Sequence, residues 1–201
     1  MEGIFQHWKY DTYQMKFKFT LFVILLFVNL LTNCGSNPKM LKPMKYNFNF
    51  YTSYHQFYIS DYDSAKKTDS KDFWNEQTYK SRLATEKGIV GILTKSYGHI
   101  VGELEILEKE RVILDTDLYD HIVESGIEVK SGILQILDCP NSNVEGEIKI
   151  VPGVYKIRVY STNLKILEGE DEDEGNDFYK IEIWKEGNPN NKIIKSYESK
   201  K

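Results

Sequence analysis

This chain of 201 residues reads as an all-β fold, mainly an antiparallel β-sandwich, with one short helix near residues 75–84. Three observations carry that expectation. Apolar residues recur at every second position through most of the chain, the mark of strands with one buried face. Turn residues punctuate these runs closely enough to make about eight to ten short strands, the spacing of a sandwich. Only one segment has helical spacing.

In chain order, Tyr46, Phe48 and Phe50 alternate with asparagines, and strand character runs on through Tyr54-His55-Gln56-Phe57-Tyr58-Ile59. Asp61 to Lys71 is polar and turn-rich. Phe73 to Ala84 is the helical segment: Asn75 is placed to cap it, Glu76 puts an acid in its first turn, and Trp74, Tyr79 and Leu83 share a face. Gly88 ends it. Strands follow at Ile89 to Thr94, at Ile100 to Leu107 and at Arg111 to Leu114, before a loop holding Asp115, Asp117 and Asp120. Ile127 to Val129 and Ile133 to Leu137 are separated by Lys130-Ser131-Gly132. After a turn at Pro140 to Asn143, Glu147 to Val151 alternates again.

Pro152-Gly153 has the character of a type II turn, because glycine tolerates positive φ. Tyr155 to Tyr160 is the most regular strand, and Phe178 to Trp184 mirrors it across the acidic segment Glu168 to Asp177. Gly187-Asn188-Pro189-Asn190 turns the chain into Ile193 to Tyr197. There is no internal repeat and no second domain boundary, so residues 46–201 are expected as one domain.

The first 33 residues are of another kind. Lys16 and Lys18 precede an apolar run from Phe19 to Leu31, which leads into Leu31-Thr32-Asn33-Cys34. The run is about 13 residues against the ~20 that a spanning helix needs. The layout resembles a lipoprotein signal peptide, with residues 1–33 removed and Cys34 bearing the lipid; Asn33 stands where such signals usually carry a smaller residue. Met15 is the better start, since Glu2 and Asp11 would otherwise precede the basic region. Plain secretion and an uncleaved amphipathic anchor are the alternatives. One acyl chain binds a membrane only marginally and two or more hold firmly, so a lipidated Cys34 is a lasting tether. Residues 34–45, opening Gly35-Ser36-Asn37-Pro38 after the cysteine, then form a flexible spacer. The domain is expected in the cell envelope, on the extracytoplasmic face of a membrane.

The formal net charge is −4, and removing residues 1–33 leaves about −5. Phosphate binding needs clustered Lys and Arg, so this balance argues against direct nucleic-acid binding and leaves basic proteins as partners. Cys139 is the one cysteine besides Cys34; no intrachain disulfide is then available, and a buried, inert thiol is expected. His55, His99 and His121 stand in unrelated contexts, and no metal-ligand spacing, nucleophile elbow or phosphate-cradling loop appears. No catalytic residue, metal or cofactor is assigned, and a protein without enzymatic activity is expected. Glu168 to Gly175 is the strongest charge feature. It reads as a solvated hairpin tip, as an electrostatic bait for a basic groove through Glu170, Asp171, Glu172, Asp173 and Glu174, or as a calcium loop, although its spacing is not that of an EF-hand.

Ser53-Tyr54-His55-Gln56-Phe57, followed by Trp74-Asn75-Glu76 and Gly88-Ile89-Val90, resembles the competence protein J family, the DNA-entry nuclease inhibitors. The resemblance resumes at Glu124-Ser125-Gly126-Ile127-Glu128-Val129 and at Pro152-Gly153-Val154-Tyr155. It ends in the strands around Tyr160 and Phe178 to Trp184, spanning residues 46–186. It implies a small binding protein that inactivates a DNA-degrading nuclease by complex formation. On our own reading of the residues, Tyr54, His55, Phe57 and Trp74 are candidate anchors on the partner, and Glu170 to Glu174 candidate steering charges for a basic cleft. For His55 the competing reading is a ring satisfied inside the sheet. An envelope lipoprotein with a structural or adhesive role, binding protein or glycan, is the alternative function.

Overall fold

Alternation of apolar residues divides the chain into two layers. The computed structural model describes residues 44–65, 67–165, 176–188 and 190–197. A six-stranded sheet has the order β1 (Met44–Tyr51), β5 (His99–Leu107), β10 (Phe178–Lys185), β9 (Gly153–Thr162), β6 (His121–Val129), β11 (Lys192–Lys195). A five-stranded sheet has the order β3 (Leu83–Glu86), β4 (Ile89–Leu93), β2 (Gln56–Asp61), β7 (Ile133–Leu137), β8 (Val144–Lys149). Neighbours are antiparallel, with one exception: β5 and β10 run parallel. Every second residue of the central strands meets between the sheets, Phe48, Phe50, Phe57, Ile59, Leu104, Leu134, Ile157, Tyr179 and Ile181 among them. The expected all-β architecture is the observed one.

The run expected from Tyr46 through Ile59 is broken. Tyr54 and His55 are both left-handed, with φ of 59° and 55°, and the chain reverses there. It leaves β1 in one sheet and enters β2 in the other.

The helix is shorter than its apolar spacing suggests. Helix α1 covers Glu76–Ser81. Asn75 caps it as expected: its Oδ1 accepts from the N–H groups of Gln77 (2.9 Å) and Thr78 (3.0 Å), while Thr78 Oγ1 accepts from Asn75 N–H (2.7 Å). Arg82 then turns left-handed, φ 52°, and donates its N–H to the carbonyls of Thr78 and Tyr79. Leu83 and Ala84 are therefore strand residues of β3, and Gly88, φ 74°, belongs to the β3–β4 turn. Just before α1, Phe73 and Trp74 lie on the outer face of the five-stranded sheet with Tyr58, Ala84, Ile89, Leu137 and Cys139. Gly91 makes room for them: a Cβ there would stand 2.8 Å from Trp74 and 2.9 Å from Phe73. The Cys139 thiol is buried as expected and accepts from Gln56 Nε2 at 3.1 Å.

Arg111 to Leu114 is not a strand. Residues 108–120 form an irregular strap over the outer face of the six-stranded sheet. Ion pairing overrides the local apolar pattern there. Arg158 of β9, 2% exposed, reaches Glu124 of β6 at 2.6 Å, pairs with Glu110 of the strap, and donates to the carbonyl of Arg111 at 2.7 Å. Arg111 in turn reaches Glu105 at 2.6 Å and the buried Glu182 at 2.8 Å. Tyr160 donates to Glu182 at 2.7 Å, the Trp184 ring lies 4.8 Å from the Arg158 guanidinium, and Tyr119 packs on Tyr160 at 4.6 Å. Buried charge of this kind persists only when paired and hydrogen-bonded.

Candidate functional site

Register brings four connections, β1–β2, β4–β5, β7–β8 and β9–β10, to one end of the sandwich. β1 ends opposite the start of β5 (Tyr51 with His99), and β9 ends opposite the start of β10 (Thr162 with Phe178). The β1–β2 turn binds its neighbours there through backbone: Thr52 N–H to Gly98 O (2.9 Å), Ser53 N–H to Cys139 O (2.9 Å), and Thr94 N–H to His55 O (2.8 Å). Thr52 Oγ1 accepts from Cys139 N–H at 3.0 Å. The two consecutive left-handed residues are thus held by the loops around them, the condition under which such strain survives and often marks a functional turn.

That turn presents aromatic side chains. Tyr54 is 61% exposed, and its ring stands 6.1 Å from Tyr97 of the β4–β5 loop. Tyr97 also meets His55 edge-on at 5.4 Å. His55 Nδ1–H donates to the Lys95 carbonyl at 2.9 Å, so the ring is oriented by the neighbouring loop and lies in a turn, not inside a sheet. Beside them Tyr51, half exposed, packs against His99 at 5.7 Å. Beneath lies a buried carboxylate, Asp177. It accepts from Lys95 N–H (3.0 Å), Ser96 N–H (3.3 Å), Ser96 Oγ and Tyr179 OH (2.5 Å). Burial and the Asp177 charge together push the Tyr179 phenol well above its usual range, which keeps it a neutral donor. Both oxygens of Asp177 are committed to holding the β4–β5 loop, so its work is positional.

The remaining expected site residues fall as follows. Phe57 is a correction. It is fully buried in the main core, 5.7 Å from the rings of Phe48 and Tyr179, because alternation along β2 turns it between the sheets and sends Tyr58 outward. Trp74 is half-buried, stacked edge-on with Phe73 at 5.2 Å and next to Tyr79 at 5.7 Å. It belongs to the packing around α1 and is not part of the aromatic end. Glu170, Asp171, Glu172, Asp173 and Glu174 lie outside the described residues, as does Cys34. The stems of the acidic segment are described: Asn163 Nδ2 donates to Asn176 O at 2.9 Å, and the chain re-enters through Asp177. Tyr97, Tyr51, Ser96 and Asp177 are members of the site that spacing did not reveal.

Chemically, this end offers aromatic faces and phenol edges on a fixed backbone. Among the described residues no group of three or more His, Cys, Asp or Glu could hold a metal ion, and no helix is long and apolar enough to cross a membrane. Rigid tyrosines with an apolar body and a polar tip are the side chains that dominate protein–protein contacts.

No protein-family model matches the chain, and no curated protein matches it. Two solved structures are similar. The crystal structure of ComJ, inhibitor of the DNA-degrading activity of NucA, from Bacillus subtilis, aligns with a TM-score of 0.55 at 16% identity, covering 72% of this chain and 99% of that one. A structure described as crocagin biosynthetic gene J aligns with a TM-score of 0.48 at 12% identity, covering 73% of this chain and 99% of that one. The likeness is one of architecture: this chain has a ComJ-like fold of two mainly antiparallel sheets and one short helix.

Proposed function

We propose that this chain is a membrane-tethered, non-enzymatic inhibitor that covers a DNA-degrading nuclease. The observation that carries the reading is the fold it shares with ComJ, an inhibitor of the DNA-degrading activity of NucA. The aromatic end supplies a surface suited to covering a partner, with Tyr54 and His55 on the β1–β2 turn grouped around Tyr97 of the β4–β5 loop, which Asp177 holds in place. Preorganised anchors lose little freedom on binding, and a few of them carry most of the energy of an interface of about 1,600 Å². The chain's net charge of −4 favours encounter with the basic cleft of a nuclease, and Glu170 to Glu174 are the steering charges. Tethering is assigned to Cys34, after the Lys16 to Asn33 signal.

The test is direct. Full-length chain is mixed with a secreted DNA-degrading nuclease from the same cells and DNA degradation is followed; stoichiometric loss of cleavage is expected, and undiminished cleavage at excess inhibitor removes the proposal. The tether has its own assay. Cys34→Ser should move the protein out of the membrane fraction, and unchanged partitioning would overturn lipid anchoring at that residue.

A further inference from the structure

The strap over residues 108–120 leaves aliphatic as well as charged side chains uncovered. Glu110 and Arg111 tie it to the sheet through Arg158, Glu105 and Glu182 while remaining about half exposed. Its aliphatic side chains point to solvent: Val112 is 77% exposed, Leu114 96% and Leu118 67%. A single exposed leucine is ordinary, but three exposed aliphatics within seven residues, interleaved with exposed carboxylates, are not. Nor is the strap loose. Besides the Arg158 bond to the Arg111 carbonyl, Tyr119 N–H donates to Thr116 O at 3.2 Å, and Lys195 Nζ donates to Thr116 O at 3.0 Å with Asp117 3.4 Å away. Asp115 Oδ1 accepts from Asp117 N–H at 2.8 Å. The aliphatics are displayed on a clamped backbone.

Charge identifies what they meet. The strap holds Glu108, Glu110, Asp115, Asp117 and Asp120 against Lys109 and Arg111, and Arg111 is spent on the sheet. A second copy of this chain docked across a two-fold axis would set Asp115 and Asp117 against themselves. Anionic lipid headgroups would be repelled likewise. A foreign protein with an apolar pocket inside a basic rim satisfies both features. We propose that the strap from Val112 to Leu118 is a second docking surface, separate from the aromatic end, on which Leu114 and Leu118 seat in an apolar pocket at the rim of the nuclease's basic cleft. This rests on the inhibitor reading above.

Two full-length variants test it, each altering exposed side chains only: Leu114→Ser/Leu118→Ser and Asp115→Asn/Asp117→Asn. Urea unfolding confirms that their midpoints match the unaltered chain. Against the same nuclease, the leucine variant should need at least about tenfold more protein for half-inhibition, through faster dissociation. The aspartate variant should associate more slowly, with a flatter dependence on salt. Half-inhibition unchanged in both variants overturns the strap surface while leaving the inhibitor reading intact. Failure of the unaltered chain to inhibit removes both. A dimer in sedimentation equilibrium that the leucine variant abolishes would assign the strap to self-association and overturn the foreign partner.

Discussion

Replacing Arg158 by methionine should unfold the polar seat beneath the strap. The side chain is 2% exposed and holds Glu124, itself 9% exposed, at 2.6 Å; it also holds Glu110 and the carbonyl of Arg111. After Arg158→Met, Glu182 keeps Arg111 at 2.8 Å, Lys180 at 3.1 Å and Tyr160 at 2.7 Å, so it stays compensated. Glu110 is 59% exposed and returns to water. Glu124 is the group left buried without its cation. Breaking one side of a buried pair costs about 3–5 kcal/mol, and methionine restores part of the packing on Trp184, so the lower end, about 3 kcal/mol, is expected. At roughly 2–4 °C per kcal/mol for a domain of this size, the Tm should fall by about 10 °C. The assay is urea unfolding at neutral pH, paired with amide exchange of the strap, which should quicken because its carbonyl anchor is gone. The double variant Glu124→Leu/Arg158→Met removes both charges and should recover to within about 1 kcal/mol of the parent. A single variant that loses less than about 1 kcal/mol, or a double variant no better than the single, would refute the reasoning.

Gly102→Ala should destabilise by about 3 kcal/mol or more, since its Cβ would collide with the Tyr179 carbonyl and the Phe48 ring. Gly187→Ala, with nothing within 4 Å, is the matched control and should leave the urea midpoint unchanged. His121 is a pH probe. Burial, opposed by its bond to the Ser81 carbonyl and helped by Arg82, lowers its pKa below the usual 6.5. Its Nε2–H donates to Ser81 O at 2.8 Å and its Nδ1 accepts from Tyr197 N–H at 3.1 Å, so only the neutral ring fits. The unfolded state therefore takes up a proton that the folded state refuses, and stability present above pH ~6.5 should be lost as pH falls from there toward the lower folded value. His121→Gln should flatten that slope in a series of urea midpoints. Tyr54→Gly removes the left-handed strain and the aromatic anchor together: stability should hold or rise by up to about 1 kcal/mol while inhibition weakens. Loss of stability with inhibition unchanged would contradict both roles given to Tyr54.

Local rules made some elements legible. Tyr155 to Tyr160 and Phe178 to Trp184 alternate cleanly, and they pair as β9 and β10. Asn75 announced its cap through side-chain chemistry acting over three residues. The end of α1 was not legible, because Leu83 continues a helical apolar stripe as readily as it begins a strand, and pairing with Ile92 decides between them. Arg111 to Leu114 failed for a related reason. Its apolar residues suggested a ladder, but the guanidinium of Arg111 and the bonds from Arg158 draw the segment across the sheet instead.

Composition and periodicity by themselves settled the all-β class, the helix cap and most strand positions, because each follows from interactions within a few residues. Tertiary structure alone decided sheet membership, the parallel pairing of β5 with β10, and which face of β2 is inward, burying Phe57. It alone gathered the aromatic end, where Asp177 holds Lys95 from 82 residues away. A period of two distinguishes two faces without saying what will cover them. Where both are covered, as around Arg158 and Glu182, a charged residue signals water to any local rule while the folded chain encloses it.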